Sequence, residues 1–322
     1  MKAIQFFEYG NSDVLRLEDI SLPEPKSEEV LIKIHACGVN FADTLVRKNQ
    51  YIFTPSLPFI PGFEVAGTIE KLGTEVTGFS IGQRVVAFIS NGGYAEYATA
   101  PQNLTAILPE EIEFVSGAAI QIQGLTAFHM LKTVAQLKPG QSVLVNAAAG
   151  GVGSVAVQLA KIFGASQIIA TAGSPEKLEF AQSLGANTLV NYREPDWHEQ
   201  VLRATDGKGV DVILEAVGGE IFLKSLECLA NFGKLIVYGS SSGSSVFDPT
   251  ILLTKNKTVI GFGLYGFLEN TLYNESLNTL FEYIKQGKLN VQISGRFPLA
   301  EASKVHHLIE SRSSQGKFIL QP

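Results

Sequence analysis

Residues 143–153 read Val-Leu-Val-Asn-Ala-Ala-Ala-Gly-Gly-Val-Gly, an apolar run that turns on small residues into a helical pattern. Such a stretch suits a strand, a tight turn and a helix packed back against that strand. Ala148, Gly150 and Gly153 stand at the glycine positions of the G-x-G-x-x-G turn that receives a dinucleotide. Gly150 lets the backbone approach a pyrophosphate, and Gly153 lets helix and strand lie close. The N–H groups of Gly151, Val152 and Gly153 open the helix and favour an anion. Alanine at the first position weakens the bare motif, and a glycine-rich turn by itself also reads as a tight connection with no ligand.

Context strengthens the nucleotide reading. Strand patterns fall at residues 142–147, 167–171, 188–191, 210–215, 234–239 and 258–262, separated by helical stretches that include 152–163 and 175–184. Ser174 and Pro175 suit the N-cap and first helical position, and Gly164 and Gly185 suit the left-handed residue after a helix. This alternation predicts a Rossmann-type, doubly wound parallel sheet of six strands. The first 120 residues instead carry β-branched runs cut by Gly, Pro and Asn, a pattern of short strands joined by turns. After residue 262 come a helical pattern at 276–286 and a closing strand pattern at 316–320, so a chain of 322 residues is expected to form two domains.

Charge and hydropathy narrow the function classes. The 25 basic and 31 acidic residues are interspersed, without a basic run to track a phosphate backbone, which argues against nucleic acid. No apolar stretch approaches the ~18 residues of a membrane span, and the N-terminus enters strand-like sequence directly, so a cytoplasmic protein is expected. Cys37 and Cys228 belong to no CxxC pair and read as buried free thiols.

The end of the second strand discriminates between nucleotides. An NAD enzyme places an acid there for the ribose hydroxyls, whereas residues 171–174 read Thr-Ala-Gly-Ser. Ser174 can donate to a 2′-phosphate and Lys177 can reach it as a point charge, so NADPH is expected rather than NADH. Lys177 alone also reads as an ordinary helix-surface lysine.

These residues, together with Met1-Lys-Ala-Ile4, Gly38-Val-Asn-Phe-Ala-Asp43, Pro61-Gly-Phe-Glu-Val-Ala-Gly67, Gly82-Gln-Arg-Val85 and Asn191-Tyr-Arg-Glu194, resemble the zinc-independent quinone oxidoreductases of the medium-chain dehydrogenase/reductase superfamily. The resemblance spans essentially the whole chain. It implies a mainly β, GroES-like catalytic domain from residues 1–124 and 263–322, a nucleotide domain at 125–262 inserted within it, and a cleft between them for nicotinamide and substrate. It also implies that Tyr192 joins Gly173 and Lys177 around the adenosine phosphate, and that Lys317 stands where the family often has an arginine at that site.

In zinc-dependent relatives a Gly-Val-Cys segment, a Gly-His-Glu segment and a further Cys hold the metal. Asn40, Phe63 and Gln123 stand at or near those places, removing the N and S ligands that bind zinc tightly. No metal is therefore expected, and the chemistry moves from alcohol oxidation to hydride addition on an already electrophilic quinone or enone. Asn40 is then a candidate donor to the substrate carbonyl oxygen, or alternatively a turn residue. Tyr51 matches an active-site tyrosine of the quinone reductases and is a candidate proton donor, though it also reads as a loop tyrosine. Lys255 matches approximately a lysine of fatty-acid and polyketide enoyl reductases, and equally suits a solvated turn. Pocket shape is expected to depend on loops near Tyr51, at 90–94 and at 265–270.

The main expectation is an NADPH-dependent quinone or enone reductase, working as a homodimer paired along residues 258–264. An enoyl-thioester reductase acting on acyl carrier protein or coenzyme A substrates is an alternative. A non-catalytic, crystallin-like NADPH-binding protein is another.

Overall fold

In a computed structural model, described for residues 1–268, 271–312 and 314–322, the chain forms two compact units, Met1–Leu125 with Leu268–Pro322, and Thr126–Phe267. The first unit opens with β1 (Lys2–Gln5), β2 (Arg16–Asp19) and the long β3 (Glu29–Val39), followed by α1 (Phe41–Arg47). It continues through β4 (Glu64–Leu72), β5 (Arg84–Phe88), β6 (Tyr97–Pro101), β7 (Thr105–Ile107) and α2 (Phe114–Phe128).

The second unit holds β8 (Ser142–Val145), α3 (Gly151–Ile162), β9 (Gln167–Ala172), α4 (Pro175–Ser183), β10 (Thr188–Asn191) and α5 (Trp197–Ala204). After these come β11 (Val210–Glu215), α6 (Gly219–Glu227), β12 (Leu229–Val237) and β13 (Thr258–Gly261). The chain then returns to the first unit with α7 (Thr271–Lys285), β14 (Ile293–Pro298), α8 (Ala302–Glu310) and β15 (Lys317–Gln321).

The second unit is the expected parallel sheet. Its strands run in the order β10-β9-β8-β11-β12-β13, with every neighbouring pair parallel, which is the doubly wound arrangement. Strands buried on both faces need unbroken apolar runs, and Val143, Leu144, Val145, Ile213 and Leu214 are all fully buried. Gly164 and Gly185 take φ of +84° and +118° just after α3 and α4. β12 starts earlier than its hydropathy suggests, at Leu229, because its ladder shifts register between Val210 and Val212 and absorbs a turn-like Asn231-Phe-Gly233.

The first unit is mainly β. Its principal sheet runs β14-β15-β3-β4-β5-β7 and is mixed, with β14 and β15 parallel and the remaining pairs antiparallel. β3 organises it, since one edge pairs with β4 while the other takes β6 along residues 29–33 and β15 along residues 37–39. Among the described residues, no helix is long and apolar enough to cross a membrane. Of the loops expected to shape the pocket, Glu269 and Asn270 lie outside the described residues.

Candidate active site

Three neighbouring strands bring Asn40, Glu64 and Lys317 to one end of the first unit's sheet. The register Phe318↔Val39 sets Lys317, the first residue of β15, beside Asn40 at the end of β3. The register Cys37↔Val65 sets Glu64, the first residue of β4, beside Gly38. A Cβ at position 38 would lie 2.5 Å from Glu64 Oε1, so only glycine admits this packing.

Asn40 is the N-cap of α1, and its backbone N–H donates to the Asp43 carboxylate at 2.7 Å. Its side chain is held between opposite charges. Nδ2 donates to Glu64 Oε1 at 2.9 Å, while the Lys317 ammonium donates to Asn40 Oδ1 and also to Glu64 Oε1. Glu64 Oε2 accepts the Ile122 N–H at 2.7 Å. The Glu64 side chain is 0% exposed and that of Lys317 4%. A cation on the amide oxygen and an anion on one amide hydrogen fix its orientation and polarise it. The second Nδ2 hydrogen has no protein partner among the described residues.

Lys317 therefore corrects an expectation. Its ammonium is buried against Asn40 and Glu64, and it is not available to an adenosine phosphate, because the β15–β3 register carries it into the sheet end. Lys255 is a second correction: it ends the 3-10 turn Pro249–Lys255 and donates to the Leu229 carbonyl at 3.5 Å. Leu229 opens β12, so Lys255 sits at the amino end of the parallel sheet, whereas ligands of such sheets meet the carboxyl ends. Tyr51 is half-buried and packs edge-on against Phe53, which packs edge-on against Phe63, the neighbour of Glu64.

Behind Asn40 runs a buried chain that sequence patterns did not reveal, because its members are far apart in sequence. Arg47 Nη1 donates to His306 Nδ1 at 3.1 Å, so His306 carries its proton on Nε2 and gives it to Tyr94 Oη at 3.0 Å. Tyr94 donates in turn to Asp43 Oδ2 at 2.9 Å. Burial raises the Asp43 carboxyl to about 7, despite the Asn40 and Tyr94 hydrogen bonds. Burial, with Arg47 and Lys48 adding to it, lowers His306 to about 3. Gln123 is buried on α2 one residue beyond the Ile122 contact, and neither its amide nitrogen nor its oxygen has a partner among the described residues.

The residues expected to meet the nucleotide gather at the carboxyl ends of β8, β9 and β10. Gly150 caps α3 in an extended conformation, and the fully buried Ala148 donates its N–H to the Thr171 carbonyl at 3.0 Å. A Cβ on Gly153 would meet the Ala147 oxygen at 2.4 Å, which makes the third position obligatory glycine. The N–H groups of Gly151, Val152 and Gly153 occupy the first turn of α3, ahead of the first α3 bond, Ser154 N–H to Gly150 O.

Gly173 follows β9, and Tyr192 and Arg193, following β10, lie against it: a Cβ at Gly173 would come 3.3 Å from Tyr192 and 3.0 Å from Arg193 Nε. Lys177 lies in the first turn of α4. Ser174 has the extended backbone of an N-cap, but its hydroxyl bonds the Glu176 carboxylate and caps no backbone group. The sequence does not single out Arg193 within the Asn-Tyr-Arg-Glu motif, because its approach to Gly173 requires the β9–β10 pairing.

The pattern of the family described as alcohol dehydrogenase GroES-like domain matches residues 26–110, and that of zinc-binding dehydrogenase matches residues 151–282. The chain is 37% identical to the quinone oxidoreductase of Rattus norvegicus over 99% of its own length and 97% of the relative's. It is 36% identical to that of Pseudomonas aeruginosa, covering 100% and 99%. The solved structure of Escherichia coli quinone oxidoreductase complexed with NADPH superposes with a TM-score of 0.96 at 34% identity, covering both chains completely.

The zinc implied by one family description does not fit these residues. Asn40, Phe63 and Gln123 supply neither thiolate nor imidazole, and the Lys317 ammonium already holds Asn40 and Glu64. The full-length likeness and the two units lead to one conclusion: the chain belongs to the quinone oxidoreductase family of the medium-chain dehydrogenase/reductase superfamily.

Proposed function

We propose that the protein catalyses NADPH-dependent, zinc-independent reduction of a quinone or a conjugated enone, the first unit holding the substrate oxygen and the second the nucleotide. The observation that carries this reading is the Asn40 amide, polarised by Lys317 and Glu64 and left with one hydrogen to donate. Bound NADPH supplies a hydride. In this reading the N–H groups of Gly151, Val152 and Gly153 face its pyrophosphate, with Ala148 and Gly150 keeping the turn small. Gly173, Ser174, Lys177 and Tyr192 surround its adenosine phosphate, once Ser174 turns from Glu176.

Asn40 Nδ2–H donates to the substrate carbonyl oxygen and strengthens as negative charge grows there. Lys317 stabilises the amide dipole that points at this charge, so a cation acts through Asn40 where related enzymes use a metal. Tyr51 delivers the proton that completes the two-electron reduction, and water restores it. NADPH oxidation across a panel of quinones, enones and enoyl thioesters tests the reading. Quinones or enones are expected to turn over best, and preference for thioesters or no turnover at all would refute it. With the best substrate, Asn40→Ala is expected to lower turnover by roughly 10- to 1000-fold while NADPH binding holds; unchanged turnover would reduce Asn40 to a helix cap.

The outer edge of β13 has no strand partner among the described residues, and we infer that two copies pair there as a homodimer. A monomer by light scattering at micromolar concentration would refute the pairing. A reducing cytoplasm suits the two buried free thiols.

A further inference from the structure

Asp43 lies fully buried in the first turn of α1, with its two carboxyl oxygens in unlike surroundings. Oδ2 accepts the Asn40 N–H at 2.7 Å and the Tyr94 hydroxyl at 2.9 Å, whereas Oδ1 has no partner among the described residues. Arg47 holds His306 Nδ1, so His306 donates through Nε2 to Tyr94, and the Tyr94 proton is directed to Asp43. A proton on Oδ2 would displace one of its two donors. The place for a proton on Asp43 is therefore Oδ1.

The charges around Asp43 do not balance. Glu64 on β4 repels its carboxylate, and the Lys317 ammonium on β15 attracts it while already bonded to Glu64. Arg47 spends its guanidinium on the Gly10 carbonyl, His306 and Glu310, and Lys48 pairs with Glu310 at 2.9 Å. The other groups that face this chain stay neutral near pH 7: burial pushes up the Cys37 thiol on β3 and the Tyr94 phenol, and lowers His306 on α8 to about 3. An ionised Asp43 thus leaves surplus negative charge in a region of low dielectric constant. That charge is bonded to the backbone of Asn40, whose side chain is the donor proposed for the substrate oxygen.

We propose that Asp43 is a positioning residue that acts through Asn40 on the hydride step: neutral, it lets negative charge grow on the substrate oxygen, and ionised, it opposes that growth. In this step the substrate gains a hydride, two electrons and a proton, as NADPH is oxidised to NADP+. The resulting monoanion then receives the Tyr51 proton. Asp43 keeps its own proton throughout and gives none to the substrate. Burial raises Asp43 to about 7, so both of its forms are present near neutrality.

The inference rests on the quinone or enone reductase reading, and the test separates the two. Single-turnover NADPH oxidation at saturating substrate is followed between about pH 5.5 and 8.5 in wild type, Asp43→Asn and Tyr94→Phe. The wild-type rate should fall on the order of 3- to 30-fold as pH rises through about 7, the effect of one added charge at an effective dielectric constant of about 20. Asp43→Asn still accepts from Asn40 and Tyr94 but cannot ionise, so its rate should be flat with pH and exceed that of wild type at the alkaline end. Tyr94→Phe withdraws a hydrogen bond that favours the carboxylate and should move the midpoint to higher pH, which a loss of packing alone would not do. If Asp43→Asn fails to fold, that midpoint decides.

Infrared titration of the protein without nucleotide gives a readout apart from turnover. The C=O band of the protonated Asp43 carboxyl should vanish over the same pH range and be missing from Asp43→Asn. A wild-type rate flat with pH, a pH response that survives in Asp43→Asn, a Tyr94→Phe midpoint unmoved or lowered, or a missing infrared band would refute the role of Asp43 alone. No NADPH oxidation with any quinone or enone would refute the reductase reading, and this inference with it.

Discussion

Replacing Lys317 with methionine keeps a long, flexible side chain and removes its charge and donors. Glu64, wholly buried, would keep the Asn40 and Ile122 donors at 2.9 Å and 2.7 Å but lose its counter-charge. Breaking a buried ion pair from one side costs about 3–5 kcal/mol, because the remaining carboxylate either stays charged without a cation or takes up a proton. At about 1.4 kcal/mol per factor of ten, the folding equilibrium of the first unit should fall by roughly two to four orders of magnitude. Removing both charges in Lys317→Met/Glu64→Gln leaves an amide that still accepts from Ile122, and should return to within about 2 kcal/mol of wild type.

The choice of probe matters. The single tryptophan, Trp197, is buried in the core of the second unit, so its fluorescence reports the wrong transition. Hydrogen exchange of β3 and β15 amides reads the right one. A loss below about 1 kcal/mol in Lys317→Met, or a double variant whose loss is the sum of the two single losses, would refute the account of a mutually dependent buried pair.

The buried chain behind Asn40 makes stability depend on pH. Asp43 is raised to about 7 from 3.8, so below about 4 its contribution is fully present, and it is lost as pH rises towards about 7. His306, lowered to about 3 from 6.5, acts in the opposite sense and loses its contribution as pH falls below about 6. Asp43→Asn isolates the first effect: it should be more stable than wild type near pH 8, with the difference shrinking towards pH 4, and a constant difference in denaturant unfolding would refute the burial argument. Gln123→Leu removes two buried polar atoms that have no partner among the described residues, and should stabilise the first unit by about 1–3 kcal/mol. Destabilisation in hydrogen exchange would show that protein groups or bound water satisfy the amide.

What the sequence determined by itself is local or periodic. The six parallel strands, the turn at Gly150 and Gly153, the capping position of Ser174 and the left-handed Gly164 and Gly185 each follow from residues within a few positions of one another, where sterics and alternating hydropathy act directly. Even there, the early start of β12 escaped, since a register shift in the β11–β12 ladder lets β12 absorb turn-like residues. Only the tertiary structure decided which charge meets which. Lys317 reaches Glu64 across 253 positions, His306 reaches Arg47 across 259, and Arg193 reaches Gly173 through the β9–β10 pair. The identity of a lysine or arginine leaves its partner open, because a long flexible side chain has many exposed alternatives of similar energy. Strand register and burial leave Lys317 its buried partners, and so moved it from the expected phosphate site to the amide of Asn40.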